Sequence, residues 1–245
     1  MKFHDNFTEA NLIFGQPVHF TITDNDNGFI SSFAMEMPKF KHIQFNADFQ
    51  QFVGLLNAPI LKLQEQFSFI ANFESHYQLY LGLMVIKHPA LQRYLNSMEA
   101  SFRALGVDFH CGTENDNLHM YIGNVAIEEA LFTRMIRLIL MACALKKQSD
   151  FIDDPVMRAY QEKINRIKSQ GKKEIGGEGQ GNFHDMFMVL SYEFGYKQEE
   201  ILNMTQYAIN LVLSYTGKSI RYKTTLIAAG NGNTKKVKFI TDKGK

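Results

Sequence analysis

Residues 183–215 constrain the fold most, because they carry two apolar stripes at helical spacing. The first stripe consists of Phe183, Phe187, Leu190 and Phe194. Apolar residues three or four positions apart share one face of a helix, so this half of the segment is predicted to be helical. Gly195 is predicted to end the helix, since glycine adopts the left-handed backbone conformation without a Cβ clash.

A second helix is predicted after the turn at Tyr196 and Lys197. Glu199 and Glu200 lie in its first turn, where the positive end of the helix dipole favours carboxylates. Its stripe consists of Ile201, Thr205, Ala208, Val212 and Tyr215. Two such helices need another surface to bury both stripes, and they carry no nucleophile, base or ligand set. The segment therefore favours an interaction module over an enzyme.

The rest of the chain predicts an α+β protein that is mainly α. Alternating apolar residues predict a small antiparallel β region within residues 12–45, with 40–45 as a candidate third strand. Helices are predicted within 47–104, a β-hairpin at 107–124 and a long helix at 126–147. Residues 138–141 make this last helix apolar nearly all round, so we expect it at the centre of the core.

The composition suggests four regions in the 245-residue chain. Residues 1–168 form the predicted main α+β domain, and 169–182 are a predicted flexible linker with five glycines among charged residues. A helix-turn-helix-like pair at 183–217 and a basic C-terminal tail at 218–245 follow. The tail has eight basic residues and one acid, whereas residues 1–217 have 18 basic against 24 acidic residues. This asymmetry predicts contact with an acidic partner.

The cysteine count, the N-terminal residues and the length of the apolar runs predict where the protein is located. Only two cysteines occur, Cys111 and Cys143, so no disulfide framework is indicated. The first ten residues are polar and mixed in charge, unlike a signal peptide. No apolar run reaches the roughly 18 residues that a membrane-spanning helix needs. A cytoplasmic protein without a membrane partner is expected.

Candidate chemical sites are weak. His110, Cys111 and His119 fall on the predicted hairpin, but tetrahedral structural zinc usually needs four ligands, and neighbouring strand residues face opposite ways. The run Gly217-Lys218-Ser219 lacks the first glycine of a phosphate-binding loop. No catalytic motif, metal site or cofactor site is predicted, so an enzyme is not expected.

The arrangement resembles proteins that tailed bacteriophages encode before the tape-measure protein, described as tail-assembly chaperone-like or baseplate-hub assembly proteins. The resemblance is sharpest where the run Phe194–Ile201, FGYKQEEI, leads into Met204-Thr205-Gln206-Tyr207 and then Tyr222-Lys223. It also covers the hairpin followed by a long apolar helix at 107–147. The Phe-rich and Met-rich 29–84 stretch departs from the family pattern.

The resemblance implies a non-enzymatic role in the host cytoplasm during phage assembly, with a tail or tape-measure protein as partner. The candidate partner-binding residues are Phe187, Phe194, Tyr196, Met204 and Tyr207 on the helices and Arg221, Lys223, Lys235, Lys236 and Lys238 in the tail. One alternative is a structural virion component such as a tail, baseplate-hub or connector subunit. Another is a nucleic-acid-binding module that uses the basic tail, which is less favoured. A homo-oligomer is left open.

Overall fold

A computed structural model describes residues 2–24, 28–60, 63, 73–85, 89–114, 117–145 and 183–215. The strands are β1 (Lys2–Asp5), β2 (Val18–Asp24), β3 (Gly28–Met35), β4 (Phe109–Glu114), β5 (Asn117–Ile122) and β6 (Val125–Ile127). The helices are α1 (Glu9–Phe14), α2 (Phe40–Phe45), α3 (Ala47–Asn57), α4 (His76–Val85), α5 (Pro89–Ala104), α6 (Glu129–Ala142), α7 (Phe183–Phe194), α8 (Gln198–Asn203) and α9 (206–215). The mainly α α+β class is therefore confirmed. The predicted linker and basic tail lie outside these residues.

The N-terminal sheet is an antiparallel meander in the order β1-β2-β3. Val18, Phe20 and Ile22 alternate with polar residues and are fully buried, because successive strand residues face opposite sides of a sheet. The antiparallel β region is thus confirmed. Strand β1 and helix α1 were not predicted, and residues 12–14 are helical instead of extended.

Residues 40–45 form helix α2, so their prediction as a third strand is wrong. The apolar residues Phe40, Ile43 and Phe45 are spaced by three and then two, which fits one helical turn as well as a strand. Tertiary packing decides between the two, since Phe40 is buried at the centre of an apolar cluster.

The second sheet joins β4, β5 and β6 in sequence order, all antiparallel. Its first two strands confirm the predicted hairpin. The third strand takes up Val125–Ile127 and pairs with the end of β5. Helix α6 consequently begins at Glu129, three residues later than predicted, and ends at Ala142, before the predicted 147.

The core lies between the two sheets and helices α3 to α6. Phe102 is its aromatic centre, with its ring centroid 5.4 Å from that of Phe52 and 4.5 Å from that of Phe109. Residues 138–142 of α6 are all buried, which confirms the prediction that this helix occupies the core. The close packing of the Phe52, Phe102 and Phe109 rings contributes more to stability than the area that they bury.

An ion pair connects the N-terminal strand to the core helix. Asp5 on β1 accepts two hydrogen bonds from Arg134 on α6, at 2.8 Å from Nε and 3.1 Å from Nη2. The guanidinium also lies over the Phe7 ring, 5.3 Å from its centroid. The bidentate geometry holds the edge of the first sheet against α6.

None of the helices in the described part of the chain has the length and apolar character needed to cross a membrane.

Candidate partner-binding surface

Helix α7 ends at the predicted glycine. Gly195 has φ 71°, and its N–H donates to the Ser191 carbonyl at 3.0 Å. This bond closes the left-handed end of the helix and satisfies a carbonyl that would otherwise lack a partner. The chain then turns through Tyr196, and the predicted stop is confirmed.

The second predicted helix is broken in two. At the start of helix α8 the Glu200 carboxylate accepts from the Lys197 N–H at 2.7 Å, which is one half of a capping box, and the helix ends before Met204. Helix α9 starts after Thr205, whose hydroxyl accepts from the Ala208 N–H at 3.0 Å. A continuous helix through 201–215 is therefore wrong, because Thr205 is an N-cap and not an interior residue.

The inner faces of these three helices pack on the N-terminal region around Phe40. The fully buried members of this second cluster are Phe40, Leu190, Ile201 and Ile209. Phe187, Tyr196 and Met204 are half-buried against it. The apolar stripes predicted from the sequence therefore meet the chain's own α2.

Polar contacts reinforce this attachment. The Phe40 N–H donates to the Met204 carbonyl at 2.7 Å, and the Lys41 Nζ donates to the Asn203 Oδ1 at 3.0 Å. The Tyr207 hydroxyl donates to the Glu9 carboxylate of α1, a bond that raises the pKa of Tyr207 to about 12. Met204 and Tyr207 thus connect the C-terminal helices to α1 and α2.

The predicted partner-binding residues fall into three groups. Phe187, Tyr196, Met204 and Tyr207 are half-buried in intramolecular contacts. Phe194 is 43% exposed at the end of α7, with its ring centroid 6.2 Å from that of Tyr196. The five tail residues, Arg221, Lys223, Lys235, Lys236 and Lys238, lie outside the described residues.

The structure adds two apolar residues that were not among the candidates. Met188 is 36% exposed and Tyr192 is 79% exposed. At roughly 100° per residue both lie opposite Leu190, on the outer face of α7. We call Met188 and Tyr192 the outer apolar surface. Phe194, four residues after Leu190, lies on the inner side at the end of the helix. A search for apolar residues on the solvent side of the predicted helix would have found Met188 and Tyr192.

The second sheet carries His110, Cys111 and His119, the three residues that the sequence offered as zinc ligands. His110 and His119 share a face, but the Tyr121 ring contacts both, with centroids 5.2 Å and 6.0 Å away. Cys111 packs against the core on the opposite face, and burial raises the pKa of its thiol to about 12. The described part of the chain holds no group of three or more metal-ligating side chains.

The geometry defines a mainly α α+β protein whose C-terminal helices are attached by one face and expose apolar side chains on another. Comparisons with protein-family models, curated proteins and solved structures found no match.

Proposed function

We propose that this protein is a non-enzymatic bacteriophage tail morphogenesis factor of the tail-assembly chaperone type. Its partner is the tape-measure protein or another tail protein, and it acts in the host cytoplasm during assembly. The outer apolar surface and the basic tail provide the contacts.

The outer apolar surface is the observation that carries this proposal. Tyr192 is a large aromatic residue with 79% of its surface exposed, one helical turn from Met188 on the same face. Aromatic residues and methionine are enriched in protein–protein interfaces. Because α7 is fixed through Leu190 on its inner face, a partner could bind the outer face without unfolding the helix.

This arrangement suits a chaperone for a long apolar helical chain. A tape-measure protein must stay soluble until tube protein polymerises around it. Flexible methionine side chains adapt to varied apolar surfaces, and exposed aromatic rings provide large contact areas. The +7 tail adds attraction for acidic segments, which increases the association rate more than the affinity.

Complementation of a phage that lacks the gene tests whether the basic C-terminal tail contributes to assembly. Replacement of Lys235, Lys236 and Lys238 by Glu should abolish assembly of the phage tail and leave the thermal unfolding temperature of the protein nearly unchanged. Replacement of the same residues by Arg keeps the charge and should support normal assembly. Assembly of normal phage tails with the Glu variant would show that the basic C-terminal tail of this protein is not a contact.

Mass spectrometry of purified particles separates the proposal from its alternatives. An assembly chaperone should be absent from finished particles, whereas a hub or connector subunit would be present in fixed stoichiometry.

A nucleic-acid-binding module would bind DNA or RNA with an affinity that falls steeply with salt and is lost when residues 218–245 are removed.

A further inference from the structure

The helices that carry the outer apolar surface have excess negative charge. Glu193 follows Tyr192 directly and is exposed, and Glu199 is exposed near the start of α8. Within the described residues neither of these two carboxylates takes part in an ion pair. The segment 183–215 has one basic residue against four acidic ones. A chain segment that fits this surface should therefore combine apolar side chains with positive charge.

The first half of the basic tail has this composition. Residues 218–229, KSIRYKTTLIAA, contain three basic residues, no acidic residue, and the apolar residues Ile220, Leu226 and Ile227. The segment begins three residues after the end of α9. Closing a short loop costs less entropy than closing a long one, which favours this half of the tail over residues 230–245.

The connection is long enough to reach the surface. Helices α7 and α9 contribute Leu190 and Ile209 to the same buried cluster. The axes of packed helices lie roughly 8–10 Å apart, and the outer face of a helix is roughly 5–6 Å beyond its axis. An extended chain gains roughly 3.4 Å per residue, so Ile220 can lie up to roughly 17 Å from Tyr215 and Leu226 up to roughly 37 Å. Both residues can therefore reach the outer face of α7.

We propose that residues 218–229 bind the outer apolar surface of their own chain until a partner displaces them. Apolar side chains of this segment cover Met188 and Tyr192, and Arg221 and Lys223 provide the charge that complements Glu193. The inference rests on the proposed function for the identity of the partner, since that partner binds where the segment was.

A weak contact is sufficient, because the segment is tethered. With an effective concentration of about 1 mM for a short connection, a contact with a Kd of about 0.1 mM is formed in about 90% of molecules. The partner then binds with an apparent Kd about tenfold higher than for the uncovered surface. Such a cover keeps Tyr192 from apolar contacts with the wrong partner and leaves the basic residues free once the right one has bound.

Fluorescence of the full-length protein without a partner tests the proposal. The sequence contains no tryptophan, so Tyr192→Trp places a single fluorophore on the surface. Acrylamide should quench it weakly. Replacing Arg221 and Lys223 by Glu should increase the quenching constant severalfold with an unchanged circular dichroism spectrum, because like charges then face Glu193. Replacing Lys235 and Lys236 by Glu is the matched control, which reverses the same charge outside 218–229 and should leave the quenching unchanged.

Strong quenching before any change in the tail, or an equal effect of the two double variants, would overturn the proposal. Dilution adds a further check. The protection should not depend on protein concentration, since the contact lies within one chain. Protection that is lost on dilution would identify the tail of a second copy as the occupant and would reject binding within the chain.

Disulfide formation gives a second reading. Under mild oxidation, Met188→Cys with Ile220→Cys should form an intrachain disulfide, whereas Val85→Cys with Ile220→Cys should do so in much lower yield. Val85 is also exposed but lies on α4. Burial raises the pKa of the native Cys111 and Cys143 thiols to about 12, so they should react little. Equal yields from the two pairs would also reject the proposal.

These experiments omit the tape-measure protein, so their failure differs from a failure of the proposed function. An uncovered surface on a protein that still keeps the tape-measure protein soluble would reject this inference alone. A covered surface on a protein that has no effect on the tape-measure protein would support the contact and contradict the chaperone function.

Discussion

The hydroxyl of Thr205 donates a hydrogen bond to the carbonyl of Leu12, 193 residues earlier in the chain. Both residues are buried, and the same hydroxyl accepts from the Ala208 N–H at 3.0 Å. One side chain therefore begins α9 and fixes it to α1. This relationship explains how the C-terminal helices are held against the N-terminal region by one face.

Replacement of Thr205 by Val should lower the free energy of unfolding by about 1–3 kcal/mol, because it leaves buried polar groups of Leu12 and Ala208 without partners. The shape of the side chain is nearly unchanged, so the loss would report the hydrogen bonds. Chemical denaturation measures it. Thr205→Ser keeps the hydroxyl and should lie closer to the wild type. Equal stability of the Val and Ser variants would argue against the connection.

Three substitutions on α7 should separate into two that destabilise the protein and one that does not. Leu190→Ala creates a cavity in the second cluster and should cost about 2–5 kcal/mol. Phe187→Ala should also destabilise the protein, since this ring is half-buried in the same cluster. Tyr192→Ala removes an exposed side chain and should change stability by less than about 0.5 kcal/mol. Thermal unfolding of the three variants would reveal an error if Tyr192→Ala were the most damaging.

The attachment of α2 should weaken in acid because of His42. Its Nδ1 accepts from the Lys39 N–H at 3.3 Å, which requires that nitrogen to be unprotonated. Burial, with a smaller effect from Lys41 and Lys39, lowers the pKa of His42 below 6.5, while Glu36 opposes the shift. The folded state thus prefers the neutral ring. Stability is fully present above pH 6.5 and is lost as the pH falls through the lowered pKa.

His42→Gln is the matched control for this pH dependence. Glutamine at the third helical position can accept the same backbone N–H in a capping box but does not titrate. The wild type should lose more stability than the Gln variant when the pH is lowered from 7 towards 5, as followed by denaturant unfolding at each pH. Parallel pH profiles would remove His42 from the explanation.

Periodicity predicted the long elements because their burial repeats along the helix or strand. Helix α3 is an example, with Phe49, Phe52, Val53 and Leu56 buried on one side. The short elements depended on distant contacts. Strand β1 exists because its four residues pair with β2, and the helical state of Phe40 depends on packing against residues from Leu190 onward.

The candidate surface was predicted in part for a related reason. Apolar stripes locate the buried side of a helix, so the sequence pattern led to Phe187, which packs inward, and passed over Tyr192, which faces outward. The break at Met204 was missed because Thr205 fits the helical spacing. Its role as a cap depends on the buried carbonyl of Leu12.

Co-expression with the tape-measure protein tests the proposed chaperone function. The fraction of tape-measure protein in the soluble lysate should be high with the wild type. It should fall to the level without a chaperone when Met188 and Tyr192 are both replaced by Ser. Val85→Ser, at a 65% exposed apolar residue on α4, is the control and should protect as well as the wild type. The proposed function would be contradicted if the tape-measure protein stayed fully soluble with the double variant. It would also be contradicted if the wild type did not increase the soluble fraction of the tape-measure protein.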